Sequence, residues 1–344
     1  MKSIIRFFSS CILGIALLAS LTSCEKPLGP QTRLYMGTVC SLSLFDKGTS
    51  GLYENMFTRL QEIEQTFSVN IPTSYISLIN ANAGKKPVSV PQEVIVVLQE
   101  ALRIAKKTDG AFDPTIGPLV ALWGIGSDHP KVPSQEEISR VLPLIDYSKV
   151  IIDTQYNTVF LEKEGMALDL GGIVKGYAAD QLTLIAQEHG VKQAIIDLGG
   201  NIYAYGTKNG SPWNIGIKNP RDPAGAPIIK LQTENKSIVT SGAYERFFEQ
   251  DGVRYHHILN PKTGYPQENE VISSTIISES SMLADALSTS SYILGCIQGL
   301  TLIESEKAEG IMIREDNQLF ATPAVLSTLT ILNPEFSLQQ NILP

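Results

Sequence analysis

The 344-residue chain has only two tryptophans, four histidines and four cysteines. None of the cysteines stands in a CxxC pair, which excludes a zinc ribbon, and four are too few for a dense disulfide framework. Positive charge is in deficit: 27 Lys and Arg face 35 Asp and Glu, for a net charge of −8. Neutralising a nucleic-acid backbone needs the opposite balance, so nucleic acid is not expected as a partner. No repeat at solenoid periods and no low-complexity linker divides residues 33–330. What is present is 43% apolar side chains, enough at this length for one large core or two modest ones.

The amino terminus carries an address. Lys2 and Arg6 precede the apolar run Ile12–Ala19, too short to span a bilayer but suited to a secretory signal. Leu21-Thr22-Ser23-Cys24 then resembles the lipobox of bacterial lipoproteins, with Cys24 as the lipidated residue. The expected organisation is a signal peptide over 1–23, a lipid-anchored tether over 24–32, one domain over 33–330 and a tail over 331–344. Removing 1–23 leaves 25 basic against 35 acidic side chains. Cys11 leaves with the signal and Cys24 carries lipid, so Cys40 and Cys296 remain, expected as buried thiols.

The domain reads as α+β. Tyr35 to Phe45 has strand character, and Met56, Phe57, Leu60 and Ile63 fall at helical spacing within 54–66. A helix follows Pro91 and stops at Asp109-Gly110; another runs from Ile173 to His189 and closes at Gly190. A third covers about 281–294. Strands are expected at 148–161 (two, around a turn), 193–197, 213–217, 228–232, 236–240, 254–259 and 271–277, with a closing hairpin at 308–321.

Several constellations exceed what a core needs. Asp169-Leu170-Gly171-Gly172 enters a helix whose exposed N–H groups and dipole favour an anion, with Lys175 one turn in. Its spacing matches neither a Walker A loop nor GxGxxG. Leu198-Gly199-Gly200-Asn201 repeats the glycine pair after a strand. Asp285, Ser288 and Thr289 share one helix face, a hard-oxygen set that suits Mg²⁺ and suits zinc poorly. His256 and His257 are adjacent, so on a strand only one can face a given site. In the Gly110–Gly124 segment, Phe112 and Trp123 offer rings that could stack on a planar ligand. Singly, each is explained as well by a tight turn, a satisfied core histidine, a local Asp–Ser bond or a buried loop.

Taken in order, the segments MGTVCSL, FSxNxxxSxIxxxN (67–80), GAFDPTIGPLVxLWG, DLGGIVKGYAAD, DLGGN, TSGAYERFF, YHHILNPKTGYP and ADALSTS resemble the ApbE family of flavin transferases over residues 34–322. The resemblance implies a single T-fold-like α+β domain with a mixed or antiparallel sheet and packed helices. It implies transfer of FMN from FAD, with Mg²⁺, onto a Thr or Ser hydroxyl of another protein, releasing AMP. It further implies acceptors among extracytoplasmic redox subunits of the Rnf and sodium-pumping NADH:quinone reductase type, which agrees with a periplasmic lipoprotein anchored to a membrane. By the same resemblance Asp285 and Thr289 hold Mg²⁺ with a main-chain oxygen near Gly172, and Ser288 stands where some members carry a second Asp. His257 matches the proposed base for the acceptor hydroxyl, a role suited by an unperturbed pKa of about 6.5. Met36, Ala111, Phe112, Asp113, Asp169, Lys175, Thr240 and Ile258 fall where the family contacts FAD. Asn70 departs from the pattern, because many members place a flavin-covering tyrosine there. A less enclosed dinucleotide suggests a second activity, Mg²⁺-dependent hydrolysis of FAD to FMN and AMP, with transfer retained. A non-catalytic flavin-binding lipoprotein is a distant third, since a carrier needs neither the Asp285 face nor His257.

Overall fold

Side chains alternate across a strand, and in this chain that alternation sorts the apolar residues onto the two faces of one sheet. The computed structural model describes residues 27–339; the signal segment, Cys24 and the last five residues lie outside them. Nine strands lie side by side in chain order: Gln31–Tyr35, Thr38–Leu44, Gln193–Leu198, Asn201–Gly206, Lys236–Gly242, Val271–Ser278, Glu309–Arg314, Gln318–Ala321 and Ser337–Leu338. Neighbours are antiparallel except the last pair, so the α+β class and the mixed sheet are as expected.

Among the described residues the helices are α1 (Ser50–Phe67), α2 (Tyr75–Ala81), α3 (Gln92–Lys107), α4 (Gly117–Trp123), α5 (Gln135–Val141), α6 (Val174–Glu188), α7 (Ser281–Leu294) and α8 (Cys296–Ser305). The first six are inserted between the second and third strands, and α7 and α8 between the sixth and seventh. On one sheet face Leu42, Ile196, Val239 and Ile276 pack against the helices in the main core. On the other, Ile238, Ile277 and Ile311 pack against a three-stranded sheet of Trp213–Ile217, Ile229–Thr233 and Leu329–Ile331. A third cluster around Leu119, Trp123, Ile138 and Leu259 joins α4 and α5 to a separate ribbon, Phe247–Gln250 paired with Val253–His256.

Local chemistry sets the helix ends. Thr49 caps α1 by accepting from Leu52 N, and Met56, Phe57, Leu60 and Ile63 form its buried stripe. Pro91 stands at the N-cap of α3 rather than within its first turn, and the helix ends before Asp109 and Gly110, both with positive φ. Cys40 and Cys296 are free and buried. No described helix is long and apolar enough to cross a membrane.

Both expected domain boundaries need moving. Residues of the tether already belong to the fold: Leu28 N donates to Gly48 O, Tyr53 Oη donates to Leu28 O, and Gln31 opens the first strand. The stretch expected as strand from Tyr35 is in fact a hairpin, turning at Met36-Gly37. Its first arm escaped notice because an exposed edge strand lacks an apolar alternation. At the other end Phe336 is buried in the second core and Ser337–Leu338 pairs with Gln318–Leu319, so the tail is structural through residue 338. Phe336→Ala should therefore cost about 3–5 kcal/mol in urea unfolding; a loss below about 1 kcal/mol would return this segment to the status of a tail.

Candidate active site

The site is built where α6 meets α7. Gly176 lets the two helices touch, since a Cβ there would collide with Ser281 O. Each helix lends the other an acid. Asp285 of α7 accepts from Gly176 N through Oδ2 at 2.9 Å, within the first turn of α6. Asp180 of α6 accepts from Ser281 N at 2.7 Å and Met282 N at 3.0 Å, at the start of α7. Burial pushes the Asp180 carboxyl up to about 6, against the pull of those N–H groups.

This crossing leaves Asp285 Oδ1 with one neighbour, Lys175 Nζ at 3.5 Å, and Lys175 Nζ also lies 3.4 Å from Gly171 O. One turn on, Thr289 faces Gly172: a Cβ at Gly172 would lie 3.3 Å from Thr289 Oγ1 and 3.2 Å from Phe112 Cε2. A side chain at Gly172 would press on both and force them apart by a few tenths of an ångström. Ser288 is tied into the sheet as well. Its hydroxyl, fully buried, donates to Asp285 O at 2.8 Å and pairs with Ser241 Oγ at 2.8 Å, which fastens α7 to the sheet and leaves at most one lone pair for a metal. The remaining donors, a carboxylate oxygen, a hydroxyl and the backbone around Gly172, are hard oxygens that suit Mg²⁺. No group of three or more His, Cys, Asp or Glu able to hold a metal exists among the described residues.

Around this centre lie the other expected residues. Met36 and Gly37 form a two-residue turn with φ of 51° and 66°, between Tyr35 and Thr38. Left-handed backbone at a methionine costs on the order of 1–3 kcal/mol, and the Glu64 carboxylate offsets it by accepting from Met36 N at 2.7 Å. Ala111 and Phe112 are buried in the loop after α3. Asp113 accepts from Thr115 N at 2.8 Å, from Thr115 Oγ1 at 2.6 Å and from Tyr147 N at 3.1 Å. Its carboxylate, held above the usual range by burial, thus fastens that loop rather than reaching outward. Asp169 accepts from Gly171 N at 2.8 Å; burial raises its carboxyl, while Arg246 and Lys175 pull it back down.

The two histidines divide, His256 ending its strand and His257 standing in the bend just after it. His256 is buried with both nitrogens used, Nε2 donating to Gln267 O at 3.0 Å and Nδ1 accepting from Ile258 N at 3.3 Å. His257 uses Nδ1 alone, on Arg246 O at 3.1 Å. A carbonyl can only accept, so Nδ1 carries the proton and Nε2 presents its lone pair. Burial, then the charges of Arg246 and Lys175, lower this imidazole to about 4, so the unperturbed value expected from sequence does not hold.

The structure places four further features. The Thr240 side chain bonds Thr275 Oγ1 at 2.9 Å on the sheet face away from the helices; its neighbour Ser241 is the residue facing α7. Trp123 is fully buried, donates from Nε1 to Gly264 O at 2.8 Å and packs on Tyr255 and Tyr265, so it stacks on no ligand. Gly199-Gly200 is the turn of a hairpin, with Asp197 Oδ1 accepting from Gly200 N, and Gly199 abuts Thr38. Asn70 is exposed, with its backbone N donating to Ser68 Oγ. Arg246, Glu64 and Ser241 were not singled out from sequence. Arg246 and Ser241 lay inside the TSGAYERFF segment, but nothing marked their direction.

The ApbE family model matches residues 36–312 of this chain. The chain belongs to the ApbE family. An FAD:protein FMN transferase of Treponema pallidum is 36% identical over 329 residues, covering 90% of this chain and 91% of the relative. One from Klebsiella pneumoniae is 38% identical over 285 residues, covering 83% and 88%. Among solved structures, the flavin transferase ApbE from Vibrio cholerae superposes with a TM-score of 0.79 at 29% identity, covering 87% of this chain and 98% of that one. The ApbE protein of Thermotoga maritima gives 0.77 at 34%, covering 83% and 94%.

His257 supplies the prediction. A depressed imidazole holds its neutral form as pH falls, so its ring-proton NMR resonances should stay unshifted from pH 7 to 6 and move with a midpoint near 4. A midpoint at the ordinary 6.5 would contradict the desolvated placement.

Proposed function

We propose that this chain is an Mg²⁺-dependent FAD:protein FMN transferase, moving FMN from FAD onto a Thr or Ser hydroxyl of an extracytoplasmic protein and releasing AMP. The observation that carries the proposal is the α6–α7 crossing, which frees Asp285 Oδ1 and sets Thr289 against Gly172 in a site that also presents an unprotonated His257 Nε2. The membership and the names of the relatives support it. The amino-terminal sequence supports a lipid anchor at Cys24 and a periplasmic, membrane-tethered location, with Rnf or sodium-pumping NADH:quinone reductase subunits as acceptors.

The residues divide the work. Phe112, Met36 and the loop at Ala111 offer the apolar wall for a flavin ring, and Lys175 offers positive charge to the pyrophosphate. Asp285, Thr289 and the backbone near Gly172 would hold Mg²⁺, which when bound neutralises pyrophosphate oxygens. His257 Nε2 takes the proton of the acceptor hydroxyl as its oxygen attacks the FMN-side phosphorus. The bond from that phosphorus to the bridging oxygen breaks, and AMP departs with the oxygen. Because His257 is neutral well below pH 7, this base is available throughout the neutral range.

The exposed Asn70 favours a second activity of the same site, in which water replaces the acceptor hydroxyl and FAD is hydrolysed. Incubation with FAD and Mg²⁺, with and without an acceptor domain, separates the two. Transfer predicts a covalent FMN adduct on one Thr or Ser by mass spectrometry, with AMP in equal amount; steady AMP release without acceptor and no adduct would replace transfer by hydrolysis. Asn70→Tyr should slow acceptor-free AMP release, and an unchanged rate would remove the openness argument. Asp285→Asn keeps an acceptor for Gly176 N but loses the charge. It should cut FAD cleavage by roughly 100-fold or more while the melting temperature stays within a few degrees. Full activity in this variant would exclude Asp285 as a metal ligand.

A further inference from the structure

Arg246 stands at the junction of the isolated ribbon with the site, one residue before Phe247. Its carbonyl is the hinge of the catalytic histidine, accepting both His257 N at 3.1 Å and His257 Nδ1 at 3.1 Å. Its side chain has a different fate. The guanidinium makes one hydrogen bond, from Nη2 to Gly37 O at 3.3 Å, and pairs with no carboxylate among the described residues. It lies against two glycines with positive φ, Gly37 and Gly126, whose Cβ positions would be 3.7 Å from Nη2 and 3.9 Å from Cδ, ordinary contact distances. Its charge is felt at Asp169 and His257, so it belongs to the same electrostatic site. Lys175, the other cation there, already neighbours Asp285 and Gly171 O. Arg246 is exposed, with one of its five donors weakly used on Gly37, so the rest of the fork is open at the site's edge to a phosphate's oxygens.

We infer that Arg246 is a phosphate-binding residue of this site, its guanidinium gripping oxygens of the dinucleotide's pyrophosphate while its carbonyl orients His257. This rests on the flavin-transfer function proposed above. The ribbon thus couples substrate and base: the residue that holds the phosphate also fixes the tautomer of the histidine that deprotonates the acceptor.

The test is FAD affinity, read from flavin fluorescence immediately after mixing with Mg²⁺ and the full-length protein or its variants. Arg246→Gln should weaken FAD binding roughly 10- to 100-fold, and Arg246→Lys, which keeps the charge but not the fork, should fall between. Arg254→Gln, on the same ribbon but paired with Glu249, should bind as the parent does. In the pH profile for FMN transfer, the acid limb should move upward in Arg246→Gln, because a charge that depresses His257 is gone. Equal FAD affinity in Arg246→Gln and parent, or an equal loss in Arg254→Gln, would overturn the assignment. Failure of the parent protein itself to bind or cleave FAD would instead overturn the proposed function.

Discussion

Two acids exchanged between neighbouring helices, Asp285 buried and Asp180 half-buried, hold this site together. Asp180 satisfies the first N–H groups of α7, and Asp285 satisfies one in the first turn of α6. Helix N-termini carry partial positive charge and orphan donors, so each acid meets both a hydrogen-bonding need and a favourable field. The exchange requires the helices to touch, which Gly176 permits. From that contact follow the direction of the free Asp285 oxygen, the nearness of Lys175 and the seating of Thr289 against Gly172. Ser241–Ser288 and Ser274–Ser291 hydrogen bonds then tie α7 to the sheet, so its reactive face cannot rotate without breaking them.

Burial governs the charges. Asp113, Asp169 and Asp180 are all pushed toward their neutral forms, and His257 is pushed toward its own. Removing water weakens lone charges and strengthens paired ones. A site of this kind stays quiet when empty and responds strongly to an anionic ligand with its counter-cations. That contrast is what a phosphoryl-type transfer needs, since its catalysis rests on positioning and charge neutralisation more than on covalent chemistry.

Much of this was legible in the sequence where periodicity is strong. The stripe Met56, Phe57, Leu60, Ile63 located α1, and the i, i+4 relation of Asp285 and Thr289 placed both on one face of α7. His256 spends both ring nitrogens while His257 keeps Nε2 open, a division that comes from a bend after the strand and not from the alternation expected. Long-range partners were not legible. Nothing local says that Ser288 meets Ser241 or that Asp113 meets Tyr147, because those contacts join residues far apart in the chain. Strand phase misled at Thr240: one step along the strand flips the side chain to the opposite face, and the motif gave no phase. The glycine pair at 199–200 resembled the one at 171–172 in letters only; a strand follows the first, a helix the second. Trp123 was misplaced because a Pro- and Gly-rich segment hides the short helix that buries it.

One Asp285 oxygen is spent on α6, and we propose that the other, with Thr289, takes a divalent ion. Calorimetric titration of Mg²⁺ into protein preloaded with FAD tests it most directly, comparing the parent with Thr289→Val. The account predicts a single saturable binding event in the parent that is weakened at least tenfold in the variant. Equal Mg²⁺ affinity in the two proteins would contradict it.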